Sequence, residues 1–377
     1  MYFLNGDRIY IKPEKSGSTI NDQLSDCMAQ LSLINSGKKV FKLNFFVNTA
    51  SDKEYEILSR DIQSRVSRIF SDKVVFSLIA QPPLTSHIII EAFYYDPKYW
   101  DIEFFNTDNN VSVLFSQSNT KVLIGNIQSD QKAGCKTDSE NAFNALGKLF
   151  SKLSFPVSSI VRQWNYIENI VGFDGEEQRY QEFNNVRSGF YGNSFTKNGY
   201  PAATGIGMNR GGLIIEFVAV QSTEIETKPV DNPGQIAAHS YSEEVLIGEE
   251  CIIKTTPKFE RARFMNMFEK KLIFISGTAS IIGENTVGVN NPVKQTEITI
   301  QNIQRLYSEE VLQKISNNNT VLSRYGHARV YIKKREHYPA IREVFETHFG
   351  NQPVVYIIAD ICRNDLLVEI EGKVILE

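Results

Sequence analysis

The sequence predicts an α+β protein built from tandem modules, in each of which a mixed sheet is packed by helices. Three observations lead there. The last third of the 377-residue chain reads strand, helix, strand, helix, strand, strand, and the middle third repeats that order. An apolar run that ends in an acid closes both copies, with Glu216 fifteen residues after Pro201 and Glu369 sixteen after Pro353. The first 95 residues carry a weaker third copy that closes on Glu91. The expected modules are residues 1–95, 96–235 and 236–377.

Each module follows from its periodicities. At the front, "NDQLSDCMAQLSL" and "DKEYEILSRDIQSRVSRIF" are helices, "VFKLNFFVN" alternates as a strand, and "KVVFSLIAQ" and "HIIIEAFYY" are apolar strands. In the middle, strand "KVLIGNIQS" leads to helix "SENAFNALGKLFSKL", strand "IVRQWNYIENI", helix "RYQEFNNVRSGFYG" and strands "YPAATGIGM" and "GGLIIEFVAV". At the end, strand "KLIFISGTASI" precedes a single helix over 292–315, where Ile298, Ile300, Ile303 and Leu306 keep near-helical spacing. Strand "HARVYIKK" follows, then "YPAIREVFETHFG", a helix with proline in its first turn and a closing glycine, and strands "PVVYIIADI" and "DLLVEIEG".

Composition excludes several function classes. At 42% apolar and 22% charged residues, the chain has the balance of a soluble globular protein. A net charge of -4 and a pI near 5.9 give no reason to expect nucleic acid or an anionic membrane as partner. Cys27, Cys135, Cys251 and Cys362 are far apart, so neither a disulfide framework nor a zinc site is expected. The five histidines form no HxxxH pair, and no metal is expected. The glycine-rich "GIGMNRGG" leads into a strand, so the helix N-terminus that would hold a pyrophosphate is missing. With no signal-peptide pattern and no apolar window of about 20 residues, a cytoplasmic protein is expected.

One stretch carries the wrong chemistry for a core strand. In "DICRNDLLVEIEG", Leu366, Val368 and Ile370 point to one side, and Glu369 falls with Leu367 on the other, among hydrophobes. A carboxyl desolvated in that way keeps its proton near neutral pH and is suited to general-acid work. Glu371 shares its face but lies nearer the strand end and Gly372, where solvation is expected. Arg179 and Arg187, eight residues apart on a helix, lie roughly 80° apart and could share a ligand with Tyr180 and Asn184. The small residues Ala202, Ala203, Thr204 and Gly205 would let backbone approach a ligand.

The motifs Ser276-Gly277, "KQTEITIQNIQRL", "RVYIKKREHYPAIREVFETHFG" and "LLVEIEG" make the last module resemble the RidA (YjgF) family. The implied fold is α+β, with tandem RidA-like (chorismate-mutase-like) modules forming a pseudo-trimer in one chain, and hence a monomer. Imine-hydrolysing RidA proteins carry an arginine two residues after the proline; here Val355 stands there. Together "VRQWNYIENI", "RYQEFNNVRSGFYG", "GYPAATGIG", "FISGTASI" and "CRNDLLVEIEG" resemble the chorismatase family, which removes the enolpyruvyl group of chorismate as pyruvate. That resemblance implies a cofactor-free enzyme with Glu369 as catalytic acid and Cys362 beside it. It implies chorismate contacts from Arg162, Arg179, Tyr180, Asn184, Arg187, Ala203, Thr204, Gly205 and Ala279; Arg342, in the first turns of the last helix, is a further candidate that could equally pair with Glu346. Cys362 resembles the branch that makes 3-hydroxybenzoate, whereas Ala279 resembles the branch that hydrolyses chorismate to a dihydroxycyclohexadiene carboxylate. The alternatives are a RidA-type 2-iminoacid hydrolase and a non-catalytic small-molecule binding protein.

Overall fold

The computed structural model describes residues 4, 6–15, 17–34, 37–107, 110–130, 132–242, 255–268, 270–316 and 322–377; Cys251 and its neighbours lie outside them. Three sheets run in chain order. The first comprises β1 (Arg8–Ile11), β2 (Lys39–Val47), β3 (Val75–Ile79) and β4 (Ile88–Tyr95), ordered β1-β4-β2-β3 and covered by α1 (Ile20–Leu33) and α2 (Asp52–Phe70). The second holds β5 (Asp101–Thr107), β6 (Asn110–Gln117), β7 (Thr120–Ser129), β8 (Ile160–Glu168), β11 (Ala202–Met208) and β12 (Leu213–Gln221), with α3 (Cys135–Leu153) and α4 (Arg179–Tyr191). A short ribbon, β9 (Phe173–Asp174) and β10 (Glu177–Gln178), leads into α4.

The third sheet contains β13 (Glu226–Val230), β14 (Ala262–Met267), β15 (Lys270–Ala279), β18 (Ser323–Ile332), β19 (Val354–Ile358) and β20 (Val368–Leu376). A second ribbon, β16 (Ile281–Ile282) and β17 (Asn285–Thr286), precedes its helices α5 (Pro292–Arg305), α6 (Glu309–Ser316) and α7 (Tyr338–Phe349). The helix expected over 292–315 is thus two helices. The first strand of this sheet begins at Glu226, ahead of the boundary expected at 236. No helix of the described residues is long and apolar enough to cross a membrane.

The same pairing recurs in all three sheets. A strand (β2, β8, β18) is joined through a helix (α2, α4, α7) to a parallel neighbour (β3, β11, β19), and the closing strand (β4, β12, β20) runs antiparallel on its other side. Local chemistry starts α1, α2 and α5 where the sequence places them. Ser51 and Asn291 cap α2 and α5 by accepting from Glu54 N and Lys294 N, and Thr19 and Asp22 close a reciprocal capping box on α1. Tyr55, Leu58, Ile62 and Val66 form the buried stripe of α2. Each sheet has its own core beneath its helices, and a further core, with Phe41, Phe46, Val113, Trp164, Met265 and Val355, is shared by all three.

Inside that shared core lies a ring of ion pairs. At one register position of β2, β8 and β18 stand Lys42, Arg162 and Arg329, each at most 1% exposed. Lys42 Nζ meets Glu216 of the second sheet at 2.8 Å, Arg162 meets Glu371 of the third at 2.5 Å, and Arg329 meets Glu91 of the first at 2.5 Å. Each sheet therefore hands a cation to the acid of the next, and Asn44 bridges Glu91 and Glu216. Glu371, expected to be solvated, is 2% exposed and part of this ring.

Removing one partner of such a pair strands a buried charge. Arg329→Ala should destabilise the fold by about 3–5 kcal/mol, read from urea unfolding. The exposed Arg342–Glu346 pair, 2.8 Å apart, provides the contrast. Arg342→Ala should cost less than about 1 kcal/mol in the same assay.

Candidate active site

The site lies where the second sheet meets the third. In β15, Ser276 and Gly277 occupy an irregularity in the pairing with β20 between Ile275 and Thr278. Ser276 Oγ donates to Glu260 O at 2.6 Å and accepts from Ala203 N at 2.9 Å, while Gly277 N donates to Thr204 Oγ1 at 3.0 Å. These bonds dock β11 against β15. A Cβ on Gly277 would collide with the Glu369 carboxylate and displace it, so glycine here leaves the acid its place. The small residues of "AATG" serve the same close approach, since a Cβ on Gly205 would press on the Tyr180 ring at 3.0 Å.

The loop before β20 forms the opposite wall. Gln295 of α5 clamps it with both ends of its amide, donating to Asp365 O at 2.8 Å and accepting from Leu367 N at 2.7 Å. Gly207 N donates to Asp360 O at 2.8 Å, which ties the loop to β11. Cys362 and Glu369 are thereby held over a cavity that Tyr180, Asn184, Phe259 and Leu366 also line.

Glu369 is 4% exposed, paired in register with Ala279, and no described residue donates a hydrogen bond to its carboxylate. Burial, reinforced by the Glu371 charge, pushes its carboxyl up to about 8. Burial and Glu369 likewise push the Cys362 thiol up to about 12, so this cysteine is a neutral thiol and not a thiolate. Tyr180 also stays protonated, chiefly through burial.

The cations of the pocket are Arg261 and Arg363. Arg261 is 5% exposed, donates to Ile236 O at 2.9 Å and to the Tyr241 hydroxyl, and leaves its buried Nε unpartnered. Arg363 donates to Glu284 O at 2.7 Å. The two guanidiniums lie 5.4 and 5.3 Å from the ring of Tyr241, which is set between them. Neither forms a salt bridge with a carboxylate among the described residues. No cluster of three or more metal-ligating side chains occurs among the described residues.

The expected site residues divide into four groups. Tyr180, Asn184, Ala203, Gly205, Ala279, Cys362 and Glu369 line the cavity together. Arg162, Thr204 and Arg187 lie behind its wall: the first two are bonded to Glu371, and Arg187 donates to Asn184 Oδ1 at 2.7 Å with its buried Nε unpartnered. Arg179 faces another cleft, because both carboxylate oxygens of Asp174, at 2.7 and 2.9 Å, and Glu168 O at 2.7 Å turn it away. Arg342 is remote, on the exposed face of α7. Arg261, Arg363 and Tyr241 were missed by sequence reasoning. The alternating "ERARF" was the available signal, although Arg261 lies one residue ahead of β14 and Arg263 within it.

A family model described as chorismatase FkbO/Hyg5-like, N-terminal, matches residues 100–219. A 3-hydroxybenzoate synthase of Streptomyces hygroscopicus is 32% identical over 229 residues, which are 58% of this chain and 64% of the relative. A chorismatase of the same organism is 32% identical over 237 residues, 60% of this chain and 64% of the relative. The match thus spans about 64% of the length of these two curated relatives. A chorismatase of Streptomyces rapamycinicus is 30% identical over 239 residues, 62% of this chain and 68% of the relative. A crystal structure of a chorismatase at 1.08 Å resolution superposes with a TM-score of 0.72 over 98% of both chains at 21% identity, a likeness of fold.

The raised Glu369 carboxyl has a consequence for stability. The folded state keeps this proton where the unfolded chain has lost it, so the protein loses stability as pH rises from about 4.5 to about 8, and no further loss from this group follows above that. Glu369→Gln lacks this titration. Across that window it should gain roughly 2–5 kcal/mol on the parent, measured as the difference in unfolding free energy with pH.

Proposed function

The chain belongs to the chorismatase family, and on that premise we propose that it cleaves the enolpyruvyl ether of chorismate, with Glu369 as the general acid. The observation that carries this reading is a buried carboxyl without a hydrogen-bond donor among the described residues, in a cavity that also presents two guanidiniums without carboxylate partners. Chorismate supplies two carboxylates. Arg261 and Arg363 take one, and the polar groups of α4, Asn184 and Tyr180, orient the other end, with Arg187 fixing Asn184 from behind.

Glu369 gives its proton to the methylene carbon of the enol ether. The adjacent carbon becomes oxocarbenium-like, an oxygen nucleophile adds to it, and the C–O bond to the ring breaks to release pyruvate. If water is the nucleophile, one water is consumed and the ring leaves as the dihydroxycyclohexadiene carboxylate. If the products are pyruvate and 3-hydroxybenzoate, the atoms balance without added water. We favour the second outcome, because the Cys362 thiol lines the site beside Glu369.

The RidA-type reading has less support: Val355 is fully buried in the shared core and offers no cation to an imino acid. We further read the chain as three modules acting as one cytoplasmic monomer, a reading that light scattering of the purified protein tests.

Purified protein should release pyruvate one for one from chorismate, with the ring product identified by mass. Glu369→Gln should lower kcat by roughly 10²–10⁴-fold, the usual weight of general-acid catalysis, and tight binding without turnover in the parent would instead mark a binding protein. The rate should fall as pH rises through about 8, where Glu369 loses its proton. Arg261→Ala should raise KM by roughly 10–100-fold through loss of a charge-assisted contact.

A further inference from the structure

The ring of ion pairs has one irregular member. Across the antiparallel registers, Asn44 faces Glu91, Trp164 faces Glu216, and Tyr331 faces Glu369, so these three acids occupy equivalent places. Two residues on, Lys42 faces Phe93, Arg162 faces Val218 and Arg329 faces Glu371. In the first two closing strands the acid itself takes the cation of the preceding sheet: Glu91 takes Arg329, and Glu216 takes Lys42. By that pattern Glu369 should take Arg162. It does not, because the third strand carries a second acid where the others have Phe93 and Val218.

We propose that Glu371 is a positioning residue that holds Arg162 away from Glu369 and so leaves the acid of the site unpaired. The geometry is saturated on one side and empty on the other. Glu371 receives Arg162 at 2.5 Å, Trp164 Nε1 at 2.9 Å, Arg329 at 3.1 Å, the Tyr331 hydroxyl at 3.2 Å and the Thr204 hydroxyl. Glu369, on the same face of the same strand, receives no such donor from the described residues. The charged and titratable groups around it are Glu371 on β20, Cys362 in the preceding loop, Tyr331 on β18, Tyr180 on α4, Arg162 on β8 and Arg261 ahead of β14. Arg162 is the cation whose pairing decides the outcome, and Glu371 holds it.

The titration states agree with this division. Although burial opposes it, Arg329 and Arg8 hold Glu91, the paired equivalent, down to about 2. Glu371, against the same opposition, is held below the ordinary carboxyl range by Arg162 and Arg329, whereas Glu369 goes the other way. One acid absorbs the cations so that its neighbour keeps a proton.

The inference rests on Glu369 being the acid of the proposed reaction, and its test reads the carboxyl directly. Glu369 is titrated by infrared difference between each protein and its own Glu369→Gln derivative, in parallel with the pH profile of chorismate cleavage. With Glu371→Gln, Arg162 is released to Glu369; its titration and the alkaline limb of kcat/KM should move down by at least about one pH unit, roughly a fivefold loss of protonated acid at pH 8, with activity recovered at lower pH. The charge-balanced double variant Arg162→Gln/Glu371→Gln should return both to near the parent position, and it remains informative if the single variant does not fold. An unmoved or raised titration in Glu371→Gln, or a double variant that stays shifted down, overturns the proposal. If the parent leaves chorismate untouched, the functional reading fails while the infrared titration still decides the charge arrangement.

Discussion

The structure depends on three buried cation–carboxylate pairs that close a circle between its sheets: Lys42 to Glu216, Arg162 to Glu371, and Arg329 to Glu91. Each charge comes from a strand that also belongs to the shared apolar core, so none can be withdrawn into water without opening the sheet contacts. Desolvating six such groups contributes little net stability. What they contribute is register. A slip of one residue in any closing strand would point its acid at the helix side, into hydrocarbon, and leave a cation facing none. The ring thus fixes how the sheets meet, and the cavity exists because two of them meet in that way.

The functional asymmetry grows out of this near-symmetry. Three modules of one design would present three equivalent clefts and three equivalent acids. In two of them the acid is consumed by the ring. In the third, Glu371 takes over that structural duty, and Glu369 is left over a cavity walled by Tyr180, Asn184, Cys362, Arg261 and Arg363. A paired carboxyl and an unpaired one sit two residues apart on one face of one strand, told apart by their hydrogen-bond partners.

Much of this was legible in the chain. Helices α2, α4 and α7 fall within a residue or so of their expected ends; the Ser51 cap and apolar stripe of α2 and the first-turn proline of α7 are local features. The break between α5 and α6 was not legible, since the apolar spacing of Ile298 to Leu306 continues past it into Val311, Leu312 and Ile315. The β5–β6 hairpin went unnoticed because its residues have no counterpart in the first sheet. Within the site, Arg179 shows the limit of helical-face reasoning: its angle on α4 is right, but Asp174 in the preceding ribbon claims its guanidinium.

The sequence by itself determined the module, its repetition and the place of the acid, because a carboxyl in an apolar strand and a proline-to-glutamate spacing are written along the chain. Only the tertiary structure decided which acid is free. Glu369 and Glu371 have the same side chain, face and strand, and no local pattern tells them apart. Arg162 stands 209 residues from Glu371 and Arg329 stands 238 from Glu91, so the division of labour is settled by partners that meet only when the three sheets close. The same holds for Arg261 and Arg363, whose common neighbour Tyr241 is distant from both in sequence and set between them only in the fold.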